Sequence, residues 1–392
     1  LGPQRQPPRR SLVTAGRASF LAAGGSLGSI LRARLRRLRG LRGVSGCRAQ
    51  EGAGQRSRAV LPGSFRFAPE DDQSWLPCLQ SHGVVVLQKA LQESEVDEAQ
   101  ELIWQWLEGF GSSSEGLAVC RRDAATWTMG DGRWPQDNDA TGIVCVRGAG
   151  QCLAAWRVRG AETVQRAFAK IWEVEVEQLL TSMDGLILWR PWQQKPSNVS
   201  EAWKTRESWL HVDQNVSKRP GLESVQGLVT LTGAHPEHSG GFVCVPGSHL
   251  ADAQAALVAR LGGADRLRKR GDFLAVPEGD PLEGQVLHVP LEPGDLVLWD
   301  SRLAHGSTPA AGLEVGGAVS EAPPELLRAA IPVCMVPRSF ADDHLRLAKW
   351  RAEAFAKGVT TKHTPHRQRM QGEAAGADFV PPLLTPAMRR VF

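Results

Sequence analysis

Residues 209–214 read WLHVDQ and residues 293–307 read PGDLVLWDSRLAHGS. Successive side chains of a strand point to opposite faces, so His211 and Asp213 share one face and Val212 takes the other. One imidazole and one carboxylate are thereby offered to a single metal ion. Leu296, Val297, Leu298 and Trp299 form a second strand pattern, and the turn after it ends at His305, Gly306 and Ser307. Two imidazoles and one carboxylate make the facial set that binds non-heme Fe(II) and leaves coordination positions open. Such positions accept a bidentate 2-oxo acid and dioxygen. 2-Oxoglutarate also needs a cation for its far carboxylate, and a guanidinium meets a carboxylate with two parallel hydrogen bonds. Arg328, which opens the last β-rich run, is the candidate; Arg338, which follows that run, is the rival. Ser307 would add a hydroxyl donor, and Gln214, beside Asp213, would help to orient the co-substrate.

Outward from these stretches, short β-rich runs alternate with Gly and Pro turns. They are LILW (186–189), WLHVD (209–213), QGLVTLT (226–232), GGFVCVPGSH (240–249), GQVLHVP (284–290), GDLVLWD (294–300) and RAAIPVCMVP (328–337). Many short strands with such punctuation predict a barrel or jelly roll. Before them, residues 75–110 read as helix, strand, helix, with VVVL (84–87) as a buried strand. Acidic residues from Glu93 to Glu98 favour a helix start there. Residues 161–180 are expected to form one amphipathic helix, 250–282 a helical insert, and 340–357 a closing helix. The expected fold class is α+β with a mainly β core: a double-stranded β-helix, or jelly roll, flanked by helices.

Charge divides the chain unevenly. Residues 1–58 hold thirteen Arg, no Lys and one acid, a charge of +12, while the whole chain of 392 residues carries +4. The remaining body is therefore acidic, which argues against nucleic acid as the main partner. Arg-rich, Ser-containing and acid-poor composition marks 1–58 as a targeting segment for a chloroplast or mitochondrion, or as a disordered basic arm. The domain reading is 1–58 basic segment, 59–340 catalytic domain, and 341–392 closing helix with a basic tail. No run of apolar residues is long enough for a membrane span. Seven Cys without a C-x-x-C pair read as reduced, small apolar residues.

The ordered set of His211-x-Asp213, PGSH (246–249), PGDLVLWD (293–300), HGS (305–307) and an Arg on a closing strand resembles the phytanoyl-CoA dioxygenase-like family. The resemblance covers roughly 75–340. It extends to a subgroup seen in fungi and algae, through Trp209 to Gln214, Gln226-Gly227-Leu228-Val229 and Gly240-Gly241-Phe242. It implies Fe(II), 2-oxoglutarate as co-substrate and dioxygen, with succinate and carbon dioxide released as a small organic or lipid-like substrate is hydroxylated. Asp213 occupies the position where related halogenases carry a small residue, so oxidation is expected rather than halogenation. The gap of 23 positions from His305 to Arg328 exceeds the family's usual dozen or so, and an insertion at 310–325 would account for it.

Other candidates carry weaker patterns. His235 and His238 flank a turn that could pair them on a metal. His249 closes the PGSH turn, either as a cap or at the active-site rim. His363 and His366 lie on a basic tail that either folds over the site entrance or stays solvated. Trp189 and Trp192 would form an aromatic wall or pack in the core. Two other function classes also stay open: a catalytically degenerate member acting as a binding protein, and a cupin-like metalloenzyme using zinc or manganese. The C-terminal MRRVF is not a peroxisomal signal of the S-K-L kind.

Overall fold

Val84–Leu87 is apolar throughout and wholly buried because its two faces meet different layers. Val85 and Leu87 pack with Val96, Ile103, Leu107 and Phe168 from flanking helices. Val84 and Val86 pack with Leu228, Val297, Phe242 and Cys244 of other strands. Each such side chain contributes about 1.5–3 kcal/mol over its exposed state. The same period-two division runs through the neighbouring strands, where Leu296, Leu298 and Val229 face the helices and Val297, Trp299 and Leu228 face inward.

The structure is a computed structural model that describes residues 59–109, 118–129, 133–136, 140–207, 209–310, 324–376 and 378–392. The basic segment 1–58 and most of the insertion expected at 310–325 lie outside the described residues. In chain order the strands are β1 (Arg66–Phe67), β2 (Val84–Leu87), β3 (Ile143–Val144), β4 (Leu179–Thr181), β5 (Leu186–Trp189), β6 (His211–Val212) and β7 (Val225–Thr230). They continue as β8 (Gly240–Cys244), β9 (Leu274–Ala275), β10 (Leu287–His288), β11 (Leu296–Asp300), β12 (His305–Pro309) and β13 (Arg328–Pro337). The larger sheet runs β1-β2-β11-β7-β13-β5-β3, with β4 also on β13. The smaller runs β10-β8-β12-β6-β9. Two mainly antiparallel sheets face each other across one apolar layer, with helices outside. This is the expected jelly roll.

Gly240 explains how closely β8 and β12 approach. Its φ is +75°, and a Cβ there would lie 2.1 Å from the Thr308 carbonyl oxygen. Only glycine permits this, and the register that follows sets Cys244 opposite His305 and Phe242 opposite Ser307.

The structure departs from the sequence reading, or decides between its alternatives, at three places. The helix expected over 161–180 ends at Trp172, where Glu173 turns left-handed, and Leu179–Thr181 pairs with β13 instead. An unexpected helix, Leu153–Gly160, precedes it and buries Trp156 and Val158. The basic tail does not stay solvated. Residues 360–371 form a hairpin in which Lys362 N donates to Arg369 O (3.1 Å) and Gln371 N to Thr360 O (2.8 Å). Carboxylates of the body hold it: Arg367 pairs with Glu223, and Arg369 with Asp272 at 2.5 Å.

Candidate metal centre

β6 and β12 lie side by side, and His211 and His305 are direct cross-strand partners. Their ring centroids are 4.4 Å apart. Asp213, two residues on, turns to the same face. Its Oδ1 lies 3.7 Å from His211 Nε2 and its Oδ2 3.3 Å from His305 Nε2. Ligand atoms of all three residues lie within 4.8 Å of one another, the one such group among the described residues.

Hydrogen bonds fix which nitrogens face inward. His211 Nδ1 lies 3.0 Å from the Trp209 carbonyl and His305 Nδ1 2.9 Å from the Leu303 carbonyl. A carbonyl only accepts, so both Nδ1 atoms carry protons, and Nε2 of each ring is the nitrogen that faces Asp213. Two imidazole nitrogens and a carboxylate thus converge on one point, and with the rings neutral all three offer lone pairs to a metal cation. Burial, and then His211, hold the His305 imidazole below its usual range, which keeps it neutral. Burial pushes the Asp213 carboxyl up, but His363, His211 and His305 together hold it well below the usual carboxylate range. The ligand set therefore fits a divalent ion, with two imidazoles and one carboxylate.

Further side chains fix the cluster. Gln226 Nε2 on β7 donates to Asp213 Oδ2 at 2.9 Å. The His211 ring is sandwiched by Trp209 (4.9 Å, 12°) and Phe273 (4.7 Å, 28°). Trp299 touches the His305 ring at 5.2 Å, and its indole nitrogen is buried without a partner. Sequence reasoning missed these supporting roles. Trp209 stood at i−2 from His211, on the same strand face, and Gln226 within a noted Q-G-x-V run, but Phe273 carries no local signal.

Arg328 starts β13 and is fully buried. Its Nη1 donates to Ser307 Oγ at 3.1 Å, and its guanidinium lies 4.7 Å from the Trp189 ring centroid. Nε and Nη2 have no partner. Burial pushes its pKa down to about 9. Arg338 stands beyond the other end of β13, roughly 30 Å along the strand, donating to the Glu177 and Arg390 carbonyls. Gln214 is a correction. Its amide donates to the Arg219 and Gly221 carbonyls and accepts from Glu223 N, so it braces a loop and is not free for a co-substrate.

A cleft of about 610 Å³ opens over the cluster, and Arg328, Ser307, Gln226, Trp209 and Phe273 line it. Of the remaining candidates His363 also lines it, whereas His235, His249, Trp189 and Trp192 do not. His249 is buried and donates to the Gln80 carbonyl at 3.2 Å. His235 faces Glu292 at 3.5 Å and joins no three-residue group. Trp189 and Trp192 are core residues. The six described cysteines are free, and no helix among the described residues is long and apolar enough to cross a membrane.

A family model described as phytanoyl-CoA dioxygenase matches residues 79–312. Ava biosynthesis cluster protein O of Aspergillus versicolor is 25% identical over 309 residues, which is 77% of this chain and 89% of that protein. Among solved structures, the epimerase SnoN in complex with Fe3+, alpha ketoglutarate and nogalamycin RO is 15% identical, covering 69% of this chain and 85% of its own at a TM-score of 0.42. The alpha ketoglutarate dependent carbocyclase SnoK is 16% identical, covering 70% and 87% at 0.40.

Proposed function

The chain belongs to the phytanoyl-CoA dioxygenase family, and from that premise we propose that it is an Fe(II)/2-oxoglutarate-dependent dioxygenase that hydroxylates a small organic or lipid-like substrate. The observation that carries this reading is the convergence of His211 Nε2, His305 Nε2 and the Asp213 carboxylate within 4.8 Å of one another. These three residues would hold Fe(II). Bound there, iron supplies the redox chemistry that couples dioxygen and 2-oxoglutarate to substrate oxidation, with succinate and carbon dioxide released.

The chain's own residues do the positioning. His305 and Ser307 are two apart on β12 and face the same way, a spacing of about 7 Å. That distance suits a five-carbon dicarboxylate with one end at the metal and the other at Arg328. The unpartnered Arg328 Nε and Nη2 would bind the distal carboxylate, while Ser307 Oγ contributes a hydroxyl. Trp299 has a buried N–H to offer at the metal end. Gln226 holds the Asp213 carboxylate, and Trp209 and Phe273 hold the His211 ring in plane.

Anaerobic addition of Fe(II) and then 2-oxoglutarate should produce the weak visible charge-transfer band of the chelate, and Asp213→Ala should abolish it. Full iron affinity and an unchanged band in Asp213→Ala would overturn the reading.

A further inference from the structure

Most charged groups that line the cleft already face a partner. Asp213 belongs to the metal cluster, and Arg328 lies against Ser307. Asp272 takes both Arg219 and Arg369. Asp184 accepts from Ser182 Oγ at 2.5 Å, and burial pushes its carboxyl up. The hairpin edge differs. Lys362, His363 and Thr364 are consecutive and all line the cleft. None of their side chains has a hydrogen-bond or ion-pair partner among the described residues. Thr364 is the strongest sign. It is only 8% exposed, yet its hydroxyl is buried without a partner, and such a group is costly unless something fills the space before it. His363 lines the same cleft as Asp184 and Asp213.

The hairpin is built to hold these three residues in place. It hangs between Gly358 (φ +64°) and Gly372 (φ +151°), and a Cβ on Gly372 would lie 2.4 Å from the Cys145 carbonyl oxygen. Thr361 N donates to Met183 O at 2.8 Å, and Met183 N to Thr361 Oγ1 at 2.9 Å. Toward the mouth, another wall of the cleft is aromatic. Trp209 stacks on His211, and Phe273 stacks on it while remaining 50% exposed. An exposed ring beside a metal ligand is an uncovered apolar surface at the point where a reacting group must arrive.

We propose that the cleft takes a small anionic substrate with a flat apolar body, its carboxylate or phosphate bound by Lys362, His363 and the Thr364 hydroxyl and its body laid along Trp209 and Phe273. The inference rests on the oxygenase reading for its chemistry and deepens it by naming a substrate class. A Lys, an imidazole and a hydroxyl supply an anion with charge and directional donors. The volume holds the co-substrate and one small molecule together.

The test uses the full chain loaded anaerobically with Fe(II) and 2-oxoglutarate. Phenylacetate, phenyl phosphate and phenylacetamide share one aromatic body, and their binding is measured by calorimetry. At least one anion should bind about tenfold or more tighter than the amide, and the tighter of the two names the anionic group. The double variant Lys362→Met with His363→Gln should lose that preference while keeping the parent's affinity for 2-oxoglutarate, which shows that it is folded. Thr364→Val should weaken the anion alone. An amide that binds as well as the anions, no binding of any probe at millimolar concentration, or a preference that survives in the double variant overturns the inference. An intact preference without any chelate band would overturn the oxygenase reading and leave the anion site standing.

Discussion

Replacing Arg328 by Met should move two observables in opposite directions. This guanidinium is completely buried, and two of its nitrogens have no partner among the described residues. Burial lowers its pKa to about 9, a sign of how poorly the surrounding side chains solvate the charge. The Trp189 ring face, 4.7 Å away, returns part of that cost. Met fills much of the same volume and needs no hydrogen bonds. Replacing buried ionic groups by packed apolar ones is often neutral or stabilising by about 1–4 kcal/mol. The empty Arg328→Met protein should therefore melt at or above the parent temperature.

Co-substrate binding should respond the other way. Truncating one partner of a buried, hydrogen-bonded charge pair costs about 2–5 kcal/mol. At about 1.4 kcal/mol per factor of ten, the Kd for 2-oxoglutarate should rise roughly 30-fold to several thousand-fold. The lower part of that range is expected, because the Ser307 hydroxyl and the metal ligands remain. Iron affinity should not change, since the Arg side chain takes no part in the cluster. Calorimetry of 2-oxoglutarate binding to the Fe(II)-loaded protein, beside a melting curve of the empty one, reads both effects. An unchanged Kd, or a melting temperature several degrees below the parent, would show that Arg328 serves the fold and not the co-substrate.

Three other outcomes are expected. Gln226→Leu removes the 2.9 Å bond that orients Asp213 and should lower Fe(II) affinity by about 10–100-fold; an unchanged anaerobic titration would remove Gln226 from the site. Trp299→Phe keeps the ring against His305 but deletes the unpartnered N–H, and should weaken 2-oxoglutarate about tenfold with iron affinity intact; equal affinity would show that the N–H meets no ligand. Burial holds His305 below its usual range, while Asp213 is held well below its own by neighbouring imidazoles in spite of burial, so on acidification the unfolded chain takes up each proton before the folded one. The metal-free protein should lose stability first as pH falls below about 6.5 and again below about 4, and a urea midpoint that stays flat over that range would contradict it.

The layers were legible because they rest on local periods. The alternation at Val84–Leu87 and the i, i+2 relation of His211 and Asp213 need nothing beyond a pleated strand. The error at Gln214 came from chain proximity. As the immediate neighbour of Asp213 it belongs, by the same period, to the opposite face, and the residue that does hold Asp213 is Gln226, brought from β7 across the sandwich. The helix expected to 180 failed because its last residues, VEVEQLL (174–180), fit a strand's alternation as well as a helix, and nothing local announces the left-handed turn at Glu173.

The hairpin at 360–371 was hidden for a different reason. Its charges read locally as a solvated tail, and the carboxylates that fold it back lie far away in sequence: Glu223 is 144 positions from Arg367, and Asp272 is 97 from Arg369. Fold and metal centre thus stand on short-period patterns. The surface that would choose a substrate stands on long-range ion pairs and on one buried hydroxyl, for which a single sequence has no period to show. That division has a physical basis. The metal centre needs only strand geometry to form, whereas the cleft wall is held by ion pairs between segments far apart in the chain, whose own composition favours water. Selectivity could then change by substitution along 362–364 without disturbing the β6–β12 pairing that aligns His211 with His305.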